Sequence, residues 1–391
     1  MFKKIIILSG LVVGVFLSLI YFVPMNPRTM LAGIFFVDSL TTEQLKTKPV
    51  VRILIVPGHD NDYWGTEFQG VKEADLNVEL AEYLTNYLRQ EKNFLVYLLR
   101  NRQGYDSNYW NYLEGHREEI AEFERTNRDA MTALAQYGLL DSRLGMEIHN
   151  EALPEVSSRL FGINKWSNEM KMDLIIHLHF NDYAGRTPNQ SGKYSGLTIY
   201  IPDKQYSNAK VSRSVAQTVS EFLGRYFAYS DLPYEKSVVG LKETQELIAL
   251  GALNTLDAAS LLIEYGYIYE SQFTHPNTRQ LLLQEMAWQT YAGVLDFFSK
   301  VPKKEIALLP YEWQSDLKQG IKSSRDVLAL QLFLAQQGFY PPVGANLNDC
   351  PISGTLGDCT VRAIKNFQKE NSIPVSGWVD SITRLKLNEF Q

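Results

Sequence analysis

Residues 173–182 read DLIIHLHFND, and His177 and His179 are the first positions at which chemistry suggests itself. Leu174, Ile175, Ile176, Leu178 and Phe180 give the stretch the character of a buried β-strand. Alternate strand residues share a face, so both imidazoles point the same way. Burying them costs free energy unless each finds a hydrogen-bond partner, a counter-charge or a metal. Three more residues of suitable type lie elsewhere. His59 directly follows VRILIVPG, Glu73 opens an amphipathic run, and Glu264 is the one charged residue of LLIEYGYI. Catalytic zinc takes three such protein ligands and leaves a position for water, whose pKa falls to about 7. A carboxylate isolated in an apolar strand is expected to face something cationic or catalytic. The scattered histidines and glutamates form no compact motif, and residue type alone leaves the three explanations open.

The elements that must position these residues are legible. VRILIVPG (51–58) reads as a strand ending at a Pro-Gly turn. EADLNVELAEYLTNYLRQ (73–90) carries Leu76, Leu80, Leu84 and Leu88 at helical spacing, and FLVYLLR (94–100) is a second strand. Strand, helix, strand is a βαβ unit, which predicts an α/β fold with a mostly parallel sheet flanked by helices. DLIIHLHF (173–180), SGLTIYIP (195–202), a helix near 207–228, ASLLIEYGYI (259–268) and a long helix through 276–299 continue it. His59 and His179 then lie at the carboxyl ends of strands, where open α/β sheets bind ligands. The polar stretch 102–158 reads as an insertion over the sheet edge or the site. Glu79 and Glu82 read as solvated helix face, His116, His149 and His275 as surface residues, and the tryptophans mostly as core. After a linker at 301–322, three short amphipathic helices form a small all-α domain over 323–391.

Two resemblances add to this reading. The stretches IVPGHDND, GVKEADLNVELAEYL, DLIIHLHFND, SGLTIYIP and LLIEYGYI together resemble the zinc-dependent N-acetylmuramoyl-L-alanine amidases of the Amidase_3 type, over about 51–300. The resemblance implies Zn2+ held by His59, Glu73 and His179, with Glu264 as the catalytic carboxylate. It implies cleavage of the amide joining N-acetylmuramic acid to L-alanine in peptidoglycan. His177 is read as a supporting core histidine, and Asn181 as orienting substrate or a loop. Asp60 and Asn61 depart from the Gly-Gly usual in that family, His177 from a Ser and Phe180 from an Ala. The segment 323–390 resembles three-helix peptidoglycan-binding domains through Leu330-Gln331, Gly338-Phe339, Phe367-Gln368 and Pro374-Val375. Two rival readings remain: a catalytically silent wall-binding protein whose site is blocked by 102–158, and a zinc hydrolase that cuts another peptidoglycan amide.

Context agrees with an extracytoplasmic enzyme. MFKK precedes an apolar run of 19 residues from Ile5 to Val23, long enough at about 1.5 Å per residue to span a bilayer. Lys3 and Lys4 before it predict a cytoplasmic N-terminus, an anchor over 1–25 and a stalk over 26–50. The sequence identifies no activator protein. Cys350 and Cys359 are the only cysteines, and their short spacing predicts a disulfide outside the cytoplasm. A net charge of −6 without a basic stripe argues against nucleic-acid binding.

Overall fold

The computed structural model describes residues 40–138, 141, 152–245, 247–250 and 258–390. The expected anchor and His149 lie outside the described residues. Among those described, no helix is long and apolar enough to cross a membrane.

Six strands form the central sheet: β1 (Val51–Pro57), β2 (Phe94–Leu98), β3 (Leu174–Asn181), β4 (Thr198–Pro202), β5 (Leu241–Thr244) and β6 (Ala259–Tyr267). Their order is β2-β1-β3-β6-β4-β5, parallel throughout except between β6 and β4. The central strands are apolar on both faces because helices cover both. The longer helices are α1 (Glu73–Leu88), α2 (Ser107–Gly115), α3 (Arg117–Gln136), α4 (Pro154–Glu169), α5 (Ala209–Leu223), α6 (Pro276–Phe297), α7 (Arg325–Gln336), α8 (Asp358–Glu370) and α9 (Ser381–Asn388).

On one face, Ile53, Ile55, Leu174, Ile176, Leu178, Leu261 and Ile263 pack against α1, α5 and α6 through Leu80, Leu84, Val215, Val219, Leu283 and Ala287. The opposite face presents Leu54, Val56 and Ile175 to Tyr109, Leu113, Ile120, Phe161, Ile163 and Trp166. The stretch 102–158, read as an insertion over the sheet edge or the site, supplies α2, α3 and the start of α4 to this helical layer. Its outward residues are polar, which hides the inward Tyr109, Leu113 and Ile120 from a reading of composition. The end of the expected stalk also folds onto the domain, with Leu45 fully buried.

The expected linker packs as well. Ile306, Leu309, Trp313 and Leu317 are buried in the same apolar cluster as α6 and α7. Cys350 and Cys359 are joined by a disulfide, as their spacing predicts.

Candidate metal and catalytic site

Strand register explains the two histidines. His177 and His179 belong to the β3 face that looks toward α4. His177 is flanked by Val56 of β1 and Leu262 of β6, both apolar. His179, one pleat higher, is registered with Glu264 of β6. His177 is thus a buried floor residue whose Nε2 lacks a hydrogen-bond partner. Burial, then the neighbouring His179, pushes its pKa down to about 3, so it stays neutral.

His59 and Glu73 reach the same point from two other segments. The chain leaves β1 through Pro57 and Gly58, and His59 adopts a left-handed conformation with φ 61°. That conformation is unfavourable for a residue with a Cβ and recurs at functional sites. Glu73 is the first residue of α1, where the helix dipole favours an anion. Its two oxygens lie 3.1 Å from His59 Nε2 and 3.0 Å from His179 Nδ1. The carboxylate also accepts from Thr66 N at 3.1 Å, Phe180 N at 3.2 Å and Asn77 Nδ2 at 3.4 Å. Burial works to raise its pKa, but the two imidazoles outweigh it and hold Glu73 well below the usual carboxylate range. Conversely, burial lowers and Glu73 raises His59, with a net upward shift.

The donor set fits a metal. One ligand atom from each of His59, Glu73 and His179 lies within 4.8 Å of the others, and no other group of three or more His, Cys, Asp or Glu side chains among the described residues meets that spacing. Two nitrogens and a carboxylate oxygen, with one member open to solvent, match the ligands of a catalytic transition-metal site. Two glycines make room for them. A Cβ at Gly58 would overlap the His179 ring, and one at Gly65 would overlap Glu73 and His59.

Glu264 lines the same cavity of about 410 Å3. Its Oε2 is buried without a hydrogen-bond partner. Burial first, then the charges of Glu73 and Glu235, raise its pKa well above the carboxylate range. A β-bulge follows directly, as the register shifts between Glu264 and Tyr267; such bulges re-aim side chains beside sites.

The rest of the wall was not foreseen. Arg159 of α4 pairs with Asp60 and, at 3.0 Å, with Asp62. Tyr105 donates to Asp60 at 2.8 Å. Burial would raise the Asp60 carboxyl, yet the Tyr63 amide, Tyr105 and Arg159 hold it low. The departure at Asp60 was visible in the sequence; its partners were not. Asn181 donates to Glu235 at 2.7 Å and accepts from Asp182 N at 2.8 Å, so its amide holds the loop. Of the remaining expectations, Glu79 pairs with Arg102, His116 stacks half-buried on Tyr112, and His275 is exposed. Trp166, Trp288 and Trp313 are core, whereas Trp64 and Trp110 are exposed.

Residues 53–296 match the Amidase_3 family, described as N-acetylmuramoyl-L-alanine amidase, and residues 323–387 match PG_binding_1, a putative peptidoglycan binding domain. No curated protein matches the chain. Among solved structures, the chain is similar to an N-acetylmuramoyl-L-alanine amidase from Clostridium difficile 630 at 18% identity and TM-score 0.38, covering 64% of this chain and 98% of that one. The CwlD amidase of Clostridioides difficile, solved with the GerS lipoprotein, shares 17% identity at TM-score 0.40 over 64% and 98%. Ami1 of Mycobacterium smegmatis shares 13% at TM-score 0.41 over 65% and 99%.

Proposed function

The chain belongs to the N-acetylmuramoyl-L-alanine amidase family, and from that premise we propose how its residues divide the work. It is a cell-wall hydrolase that cleaves the amide between N-acetylmuramic acid and L-alanine. His59, Glu73 and His179 hold a zinc ion, and Glu264 is the general base and then the general acid. When bound, zinc supplies Lewis acidity, making water nucleophilic near neutral pH and drawing charge from the scissile carbonyl. Glu264 takes the proton of the attacking water on its unpartnered oxygen and delivers it to the departing L-alanine amine. Neutral His177 and Leu262 form the floor one pleat below His179 and Glu264.

The observation that carries this reading is the convergence of His59, Glu73 and His179 beside a buried, unpartnered Glu264. Among the described residues, a cavity of about 410 Å3 lies in front of them. The C-terminal domain binds the same polymer, adding a second attachment. Residues 5–23 anchor the chain with its catalytic domain outside the cytoplasm; protease added to intact cells should then digest that domain.

The direct test is mass spectrometry of products released from purified peptidoglycan by the zinc-loaded full chain, beside Glu264→Ala. Free stem peptides with an unblocked L-alanine amine, absent from the variant digest, are expected. Fragments cut at another amide would move the bond, and an active variant would remove Glu264 from its role.

A further inference from the structure

A second buried carboxylate stands behind the site. Glu235, in the loop after α5, is only 3% exposed. Among the described residues no lysine, arginine or histidine pairs with it; four neutral donors do. Asn181 Nδ2 and Tyr200 Oη donate to Oε1 at 2.7 and 2.8 Å, and Ser230 Oγ and Tyr267 Oη donate to Oε2 at 2.6 and 3.1 Å. A carboxylate can accept all four, two at each oxygen. The donors come from the last residues of β3 and β6, from the middle of β4 and, for Ser230, from the same loop.

Two of them line the catalytic cavity. Asn181 stands two residues beyond His179 and shares its strand face. Tyr200 is registered opposite Leu262, one pleat below Glu264. Glu235 therefore grips the wall on either side of the His179–Glu264 pair. A purely mechanical tie would not need a buried charge, because isolated burial of an ion is costly. Here the donors compensate that cost, and the charge stays where it can orient them.

We propose that Glu235 is a positioning residue of the hydrolysis, holding Asn181 and Tyr200 as the fixed wall against which Glu264 and the scissile amide lie. The inference rests on the amidase reading above. Glu235→Gln keeps the size but removes the charge: its one oxygen accepts from Asn181 and Tyr200 without charge assistance, and the Ser230 and Tyr267 hydroxyls must turn round to face its amide, which loosens the grip on both wall residues.

The test is steady-state kinetics of the full chain on a soluble N-acetylmuramoyl-L-alanyl peptide, with zinc per chain and Tm measured on each variant. Glu235→Gln is expected to lower kcat by roughly tenfold to a hundredfold, the scale of a misplaced reacting group, with KM within about twofold. Zinc content and Tm stay at wild-type values, and adding Tyr200→Phe costs little further, as coupled residues do. An unchanged kcat in Glu235→Gln overturns the inference. So does a kcat loss matched by lost zinc or lost folded protein, which would make Glu235 structural only. Wild-type enzyme that fails to release the peptide would sink the amidase reading itself, whereas the variant outcomes sink this inference alone.

Discussion

Glu73 meets three demands that pull against each other. It must be buried, remain ionised and face two imidazoles, and the start of α1 lets it do so with backbone and side-chain donors on both oxygens. The space around it is set by glycine. At Gly58 a Cβ would come within 2.2 Å of the His179 ring, so any side chain there forces the imidazole to move. Gly58→Ala is expected to push that ring off the common point and weaken zinc affinity by roughly tenfold or more, the effect of disturbing a metal ligand's orientation. Gly115→Ala, which meets nothing within 4 Å, serves as the control and should bind zinc like wild type. Competition against a chelator reads both, and equal affinities would show that the cradle is loose.

At the scale of elements, α4 is joined to the β1 turn by one side chain. Arg159 spans Asp60 and Asp62, and Tyr63 lies beneath its guanidinium at 5.3 Å. Removing it leaves Asp60, 7% exposed, without its cation, a loss of about 1–3 kcal/mol for a buried charged hydrogen bond. Arg159→Ala should therefore speed amide hydrogen exchange across 58–66 while leaving β3 protected. Unchanged exchange in 58–66 would mean that the turn is held by its own backbone. Partnerships of this kind also mark the limit of what the sequence discloses. The βαβ alternation, the strand ends and the four principal site residues follow from local periodicity and family motifs, because each is written within a few neighbouring positions. Arg159 finds Asp60 across 99 residues and Asn181 finds Glu235 across 54, so nothing local distinguishes them from ordinary polar surface residues. The α2–α3 layer was obscured for a related reason: only the fold shows which of its many tyrosines and leucines face inward.

At the scale of the molecule, the catalytic and C-terminal domains share one apolar cluster, and the segment between them is bolted down. Glu305 accepts from Tyr226 and Gln336 at 3.1 and 2.9 Å, and Asn348, two residues before the disulfide-bonded Cys350, donates to Tyr229 O at 3.2 Å. The C-terminal helices thus sit at a set distance from the candidate site rather than on a free tether, which would narrow the geometries of any polymer that engages both. Glu285 of α6 is central to this junction. It is fully buried, and one oxygen accepts from Ala307 N at 2.9 Å and Leu308 N at 3.2 Å while the other accepts from Gln289 at 2.7 Å. Burial outweighs these donors and pushes its pKa from the ordinary 4.5 up to about 7. Between those values the unfolded chain has lost the proton and the folded chain keeps it, so the folded state binds more protons and stability falls as pH rises. The full effect amounts to ~3 kcal/mol, present below about pH 4.5 and lost by about pH 7. Glu285→Gln cannot ionise and should flatten that part of the curve, gaining on wild type as pH rises from 5 to 8. Urea midpoints of the full chain across this range decide it. Parallel curves for the two proteins would show that Glu285 is already ionised in the fold, with the linker amides sufficient to hold its charge.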